Sequence, residues 1–172
     1  QEYFPASRIT YLLPGESTLL SKGGRGVEVR ATTGAVLGPP WQQAENGYIV
    51  RSAAASEGGK APKGGSLYHE AHLMYDEVEL SALSADVVIA PVVSQNIAAY
   101  TLVGGGSKAL KLAATLKAKK VVTMANGDLE TTGPLKNIVT SKGTLQDFLE
   151  LASAEGVIVV PPKPTVALDV WP

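Results

Sequence analysis

The side chains best suited to chemistry are two histidines, the glutamate between them and a polar pair further downstream. His69, Glu70 and His72 stand in the string Leu67-Tyr68-His69-Glu70-Ala71-His72, with Tyr75 and Asp76 just beyond. On a strand, alternate side chains share a face, so Glu70 and His72 point one way and His69 the other. An imidazole and a carboxylate converging at a strand end can ligate a metal or pass a proton. The same residues also read as solvated polar groups at a strand end, because two histidines seldom make a site alone. Asn126 and Asp128 occur in Met124-Ala125-Asn126-Gly127-Asp128. Ligands of α/β proteins sit beyond the carboxyl ends of strands. There, Asn126 and Asp128 suit a hard cation or an oriented water. An Asn-Gly turn whose Asp accepts main-chain N–H groups fits the same residues.

Gly104-Gly105-Gly106 leads into Ser107 and Lys108, and free N–H groups at a helix start can hold a phosphate. The spacing lacks the Walker pattern, and a plain flexible turn is the simpler reading. Ser107 has no histidine beside it in sequence, so a serine nucleophile would need His69 or His72 delivered by the fold. Cysteine is absent, which excludes disulfides, thiolate zinc sites, iron–sulfur clusters and cysteine nucleophiles. With only two histidines in the chain, metal chemistry is tightly limited.

The elements that must position these groups follow from periodicity. Residues 9–13 read as a β run closed by a Pro14-Gly15 turn. Residues 27–31 alternate apolar and polar as a half-buried strand does. Asn46-Gly47 reads as a turn, with a strand over 48–50 and a solvated loop over 52–65. A strand resumes at 67–70. Residues 87–90, stopped by Pro91, and 121–124 are continuous apolar runs of buried strands. Between them a helix over 107–116 places Ala109, Leu110, Leu112, Ala113 and Leu116 on one face. Lys117, Lys119 and Lys120 fall at or past its end, where cations suit the helix dipole. Thr144 with Asp147 opens a second helix in capping-box fashion. Leu145, Phe148, Leu149 and Ala152 form its stripe, and Gly156 closes it. Strands follow over 157–160 and 166–170. The order, β-rich and then β-α-β-α-β, predicts an α/β fold with one mixed sheet.

Length, charge and composition set the outer bounds. The 172 residues suffice for one domain, 1–172. Hydrophobic residues make up 45% and charged ones 18%, a globular balance. The net charge of -1 provides no global field for nucleic acid or an anionic membrane. No apolar run approaches the roughly 20 residues of a membrane span. Because it begins with Gln1 rather than Met, the chain is expected to be processed, truncated or partly traced.

Several phrases in order carry a resemblance. They are Leu13-Pro14-Gly15-Glu16, Ala31-Thr32-Thr33-Gly34, Asn46-Gly47-Tyr48-Ile49, the His69–His72 string, Asp86-Val87-Val88-Ile89-Ala90-Pro91 and Gly127-Asp128. Together they resemble the C-terminal part of metallo-β-lactamase-fold proteins, nearest to a lactonase-like branch of cyanobacteria and plastids. The resemblance implies an αββα sandwich of two similar halves, of which this chain is the second, with a mixed sheet and helices on one face. It also implies metal ligands from both halves. The His-x-His-x-Asp-His loop of the first half is not in this sequence. His72 stands where a bridging Asp is expected, Ala125 or Asn126 where a later His is expected, and Thr32 or Thr33 in place of a further His.

The resemblance implies a protein with a degenerate or incomplete metal site that acts as a structural or binding element. The alternative is a metal-dependent hydrolase, lactonase- or esterase-like, with its first-half ligands outside this chain. The shifted site it leaves has Glu70, His72 and Asn126 as metal ligands and Asp128 as the catalytic base or an outer group. Zinc or another divalent metal is then expected in a full-length parent, not in this chain alone. A third reading is a phosphate- or nucleotide-binding module at Gly104-Gly105-Gly106. The second sheet face is expected to meet residues 9–50 folding back, the N-terminal half or another polypeptide. A plastid or the cytoplasm is the expected location, with neither nucleic acid nor a membrane span.

Overall fold

The computed structural model describes residues 8–23, 25–39, 41–54, 64–98, 100–124, 138–163 and 165–170. The strands are β1 (Ser17–Lys22), β2 (Arg25–Thr33), β3 (Asn46–Ala54), β4 (Ser66–His69), β5 (Val87–Pro91), β6 (Ser94–Ile97), β7 (Tyr100–Val103), β8 (Lys120–Met124), β9 (Val139–Lys142) and β10 (Ile158–Val160). The helices are α1 (Glu77–Ser81), α2 (Gly106–Thr115) and α3 (Leu145–Ala154).

Seven strands form one sheet in the order β1-β2-β3-β4-β5-β8-β10. Its first four are antiparallel neighbours, and β4, β5, β8 and β10 run parallel. Parallel neighbours need long crossovers, and among the described residues each crossover here carries one helix. The sheet is mixed, as expected. It is not the only one, because β7-β6-β9 form a separate antiparallel sheet.

One row of residues shows why the helices lie where they do. Ile49, Tyr68, Val88 and Val121 are aligned by register across β3, β4, β5 and β8. All four are buried and pack with Leu80 of α1, Leu112 of α2 and Phe148 of α3. Burying each large apolar side chain contributes about 1.5–3 kcal/mol, so all three helices are drawn to this face. Strand alternation sends Leu20, Val27, Tyr48 and Ile158 to the opposite face, where they are 54%, 38%, 38% and 54% exposed. On the same face Ala31, Val87 and Val122 are nonetheless buried, and Asn46 Nδ2 donates to Leu12 O at 2.8 Å and Lys120 Nζ to Val170 O at 3.0 Å. The strands of residues 9–50, however, do not supply the expected cover by folding back as a layer. From Ser17 onward, β1, β2 and most of β3 extend the sheet edge to edge.

The helix ends follow local chemistry. Thr144 Oγ1 accepts from Asp147 N–H at 3.1 Å, and Asp147 accepts from Thr144 N–H at 2.9 Å, so the capping box of α3 is complete. Gly156 beyond its end has φ +68°, and Val157 N–H reaches Ala152 O at 3.0 Å. The short helix α1 is opened by Asp76, whose carboxylate accepts from Val78 and Glu79 N–H at 2.8 and 3.0 Å.

Four local expectations are corrected. Residues 9–13 and 166–170 are irregular: their apolar runs have no partner strand, and periodicity without a partner makes no strand. Asn46 and Gly47 open β3 opposite Thr33 and Thr32 instead of forming a turn. β3 also continues through residues 52–54, which read as loop. No helix among the described residues is long and apolar enough to cross a membrane.

Candidate functional site

β4 ends at His69, and the chain turns at once. Glu70, buried to 1% exposure, organises that turn. Its Oε1 accepts from His72 N–H at 3.0 Å and its Oε2 from Met74 N–H at 2.7 Å. Bonds to a carboxylate are stronger than neutral ones, and burial removes the competing water. A third tie comes from the loop before α2, where Gly104 N–H donates to His72 O at 2.7 Å. Leu73, inside the turn, has φ +55° and is buried. That conformation costs an L-residue about 1–2 kcal/mol, and the surrounding bonds hold it.

The approach of Gly104 is close because it lacks a side chain. A Cβ there would lie 2.8 Å from Leu73 Cβ and 2.8 Å from Lys108 Cδ. The triple glycine therefore brings the start of α2 against the turn, a packing role that the plain flexible-turn reading does not supply.

His72 faces Glu45. Its Nδ1 lies 3.2 Å from Glu45 Oε2 and 3.7 Å from Glu70 Oε1. Neither contact is aligned as a hydrogen bond, and Nδ1 is a buried atom without a hydrogen-bond partner. The contact with Glu45 is a charge contact when the ring is protonated. Glu45 has a half-exposed side chain, so solvent screens the pair. His69 does not join His72. Its Nδ1 is 3.1 Å from Ile89 O, to which it donates when it carries the proton.

Glu45 had no motif to mark it. It reaches the site because the segment between β2 and β3 closes on itself: Gly34 N–H donates to Glu45 O and Glu45 N–H to Ala35 O, at 2.9 and 2.7 Å. The signal available was Asn46-Gly47, had it been read as the start of a strand. Glu79 was likewise missed; its Oε2 accepts from Thr33 N–H at 2.9 Å and ties α1 to the end of β2.

Two tyrosines lie nearby. The Tyr68 hydroxyl accepts from Thr32 Oγ1 at 3.4 Å, in space left open by Gly47, where a Cβ would come within 2.5 Å of it. Burial above all, with Glu70 adding, raises the Tyr68 phenol far above its ordinary value. Tyr75 donates to Lys108 O at 3.3 Å and is pushed up to about 12 by burial and then by Glu77. Tyr75 helps line a cavity of about 520 Å³ with Thr33, Leu73, Asp76 and Lys108.

Of the residues expected to form a site, the structure brings Glu70 and His72 together. Asn126 and Asp128 lie outside the described residues. β8 ends at Met124 on the sheet edge where β4 ends, with β5 between them. Two strand spacings, about 10 Å, separate their axes. Among the described residues, no group of three or more His, Asp or Glu side chains is placed to hold a metal ion. A dinuclear zinc centre needs several imidazoles and free carboxylates. The described donors are one imidazole nitrogen without a hydrogen-bond partner, the half-exposed Glu45 carboxylate beside it and the Glu70 carboxylate already bonded to main chain, too few to fit one.

Residues 5–125 match the family model described as a beta-lactamase superfamily domain. A comparison with curated proteins gives no significant match. Among solved structures, the chain is similar to an isothiocyanate hydrolase from Delia radicum gut bacteria. The identity is 13% and the TM-score 0.53, covering 89% of this chain and 57% of that one. It is also similar to a protein of Parabacteroides distasonis ATCC 8503 provisionally described as a metal-dependent hydrolase. Here the identity is 14% and the TM-score 0.53, covering 90% and 58%. A variant of the β-hydroxylase CmlA gives 16% identity and a TM-score of 0.58, covering 90% and 32%. At these identities the likeness is one of fold. The chain spans a little over half the length of the two hydrolases and a third of the hydroxylase.

Proposed function

Since the chain belongs to the β-lactamase superfamily domain family, we propose that it is the C-terminal part of a metallo-β-lactamase-like unit whose metal site is degenerate, and that it acts as a structural or binding element. One observation carries this reading. Glu70, the acid at the strand end, is buried and gives both oxygens to main-chain N–H groups of its own turn. A carboxylate so engaged would have to give up those bonds to serve a metal, leaving two part-buried N–H groups without their acceptor at about 1–3 kcal/mol each. The exposed apolar side chains on the second sheet face support a covering partner, either the other half of the unit or a separate polypeptide, because sheets pack face to face at about 10 Å. A plastid or cytoplasmic location belongs to the same proposal.

A second reading has an observation of its own. The His72 Nδ1 atom is buried without a hydrogen-bond partner, and neutral imidazole nitrogen is a common metal donor. In a longer parent, ligands from outside this chain would complete a hydrolase site of lactonase or esterase type, with His72 as one ligand and Asp128 as base. Elemental analysis of the purified parent for zinc, iron and manganese separates the two, together with hydrolysis of a generic lactone and a generic phosphodiester. The degenerate reading expects less than one metal per chain and no turnover. Two zinc ions per chain, with turnover abolished by His72→Ala, would establish the hydrolase.

A further inference from the structure

On the solvent side of α2 and α3 lies a groove of about 630 Å³, away from the Glu70 turn and the second sheet face. Leu110, Ala113, Ala114, Leu151 and Val157 supply its apolar lining. Leu151 is 50% exposed although it stands on a helix whose core positions are filled by Phe148 and Ala152. The rim is uneven in charge. Lys111, Lys117 and Lys119 stand along α2 and just past its end, against Glu155 at the end of α3. Lys111 is paired with Glu77 at 2.8 Å, and Lys117 and Lys119 are the other two exposed cations that line the groove.

The backbone fixes both of these lysines. Lys117 follows the C-cap Leu116 with φ +58°, in the left-handed position that helix ends usually give to glycine. Ala118 N–H closes that turn on Ala113 O at 2.8 Å. Lys119 donates its N–H to Asp86 O at 3.2 Å, and its carbonyl accepts from Ile158 N–H at 3.0 Å. The sequence thus tolerates a strained lysine where glycine would relax the turn. A cation there also suits the helix dipole, but the dipole alone explains neither the exposed Leu151 nor the second cation beside it.

We propose that the α2–α3 groove, lined by Leu110 and Leu151 and by the exposed Lys117 and Lys119, docks an acidic amphipathic helix of a partner polypeptide. α2 is 10 residues long, or about 15 Å at the rise of an α-helix, so the docked segment is about three turns. Its apolar side chains at i, i+3 or i+4 and i+7 enter between the leucines, and its carboxylates face the two lysines.

The test titrates the full chain with two synthetic helical peptides of 14 residues, identical in their leucine stripe, one with glutamates and one with lysines on the polar face. Backbone amide shifts are followed throughout. The acidic peptide is expected to bind, moving Leu110, Ala114, Leu151 and Val157, and the basic one to bind far more weakly. Lys117→Gly with Lys119→Ser should weaken binding up to about tenfold, the scale of two exposed charge contacts. Lys117→Gly alone should raise the melting temperature while it weakens binding, an outcome that a purely structural lysine would not give. The proposal is overturned by equal binding of both peptides, by shifts confined to the sheet face opposite the helices, or by an unchanged affinity in the double variant. It is also overturned if neither peptide binds, and if vesicles of anionic phospholipid bind the groove while the acidic peptide does not, since the occupant is then a membrane.

Discussion

The parallel pair β4 and β5 is closed at each end by one carboxylate, and the two closures differ in weight. At the carboxyl end of β4, buried Glu70 takes the N–H groups of His72 and Met74. At the amino end of β5, exposed Asp86 takes the N–H and the hydroxyl of Ser66, at 2.7 and 2.8 Å. The chemistry is the same: an anion accepting donors at the end of a strand. Solvent access separates them, since the bonds at Ser66 are exposed and those to buried Glu70 are part-buried, with less water to compete. A carboxylate at a strand end is therefore not by itself a functional signal.

Removing the buried closure should have the largest effect. Glu70→Ala leaves two part-buried N–H groups without their acceptor, at about 1–3 kcal/mol each. In a chain of this size each kcal/mol lowers the melting temperature by about 2–4 °C, so a fall of about 5–15 °C is expected by calorimetry. A fall of under 2 °C would place the two ends on equal footing. Next comes the glycine that lets the turn be gripped from outside. Gly104→Ala drives a Cβ into Leu73, and such overpacking costs about 1–3 kcal/mol, to be read in urea unfolding.

Tyr68, within β4 itself, and Tyr75, just past the Glu70 turn, sharpen the comparison from the alkaline side. Burial raises both phenols, Tyr75 to about 12 and Tyr68 further. A raised folded value means that their contribution is complete below the unfolded value near 10 and is lost as the pH climbs through the folded values. Absorbance titration should show two phenols resisting ionisation in the folded chain and releasing together as it unfolds above about pH 12. The smallest effect belongs to Asp86. The bonds from Ser66, with a minor pull from Arg51, hold its carboxyl below the usual value. Its contribution is present above pH 4 and is lost as the pH falls through the depressed value. For a group this exposed the loss in Asp86→Asn should stay under about 1 kcal/mol at neutral pH, with the difference from wild type vanishing in acid.

The sequence disclosed elements wherever burial imposed a period. α2, α3, β5 and β8 are legible because each packs against the core, and Thr144 with Asp147 marked the start of α3. β1 was not legible, because it is an edge strand paired on one side and its string Ser-Thr-Leu-Leu-Ser-Lys does not alternate. β6 and β9 are short, polar and never fully buried. α1 is too short for a stripe, although Asp76 before Glu77 and Glu79 was a readable start. At the site, residue types correctly drew attention to Glu70 and His72. They did not disclose that the donors to Glu70 are main-chain groups, nor that Glu45 arrives from a segment 27 positions earlier than His72, because main-chain partners and loop closure leave no residue signature.

Amide hydrogen exchange at His72 and Met74, measured on the metal-free chain and again after zinc addition, tests the central claim most directly. If Glu70 serves the main chain, both amides should exchange at least roughly 30-fold more slowly than in an unstructured chain, the equivalent of about 2 kcal/mol, and zinc should leave them unchanged. Fast exchange without metal and strong protection once zinc is added would contradict the account and make Glu70 part of a metal site.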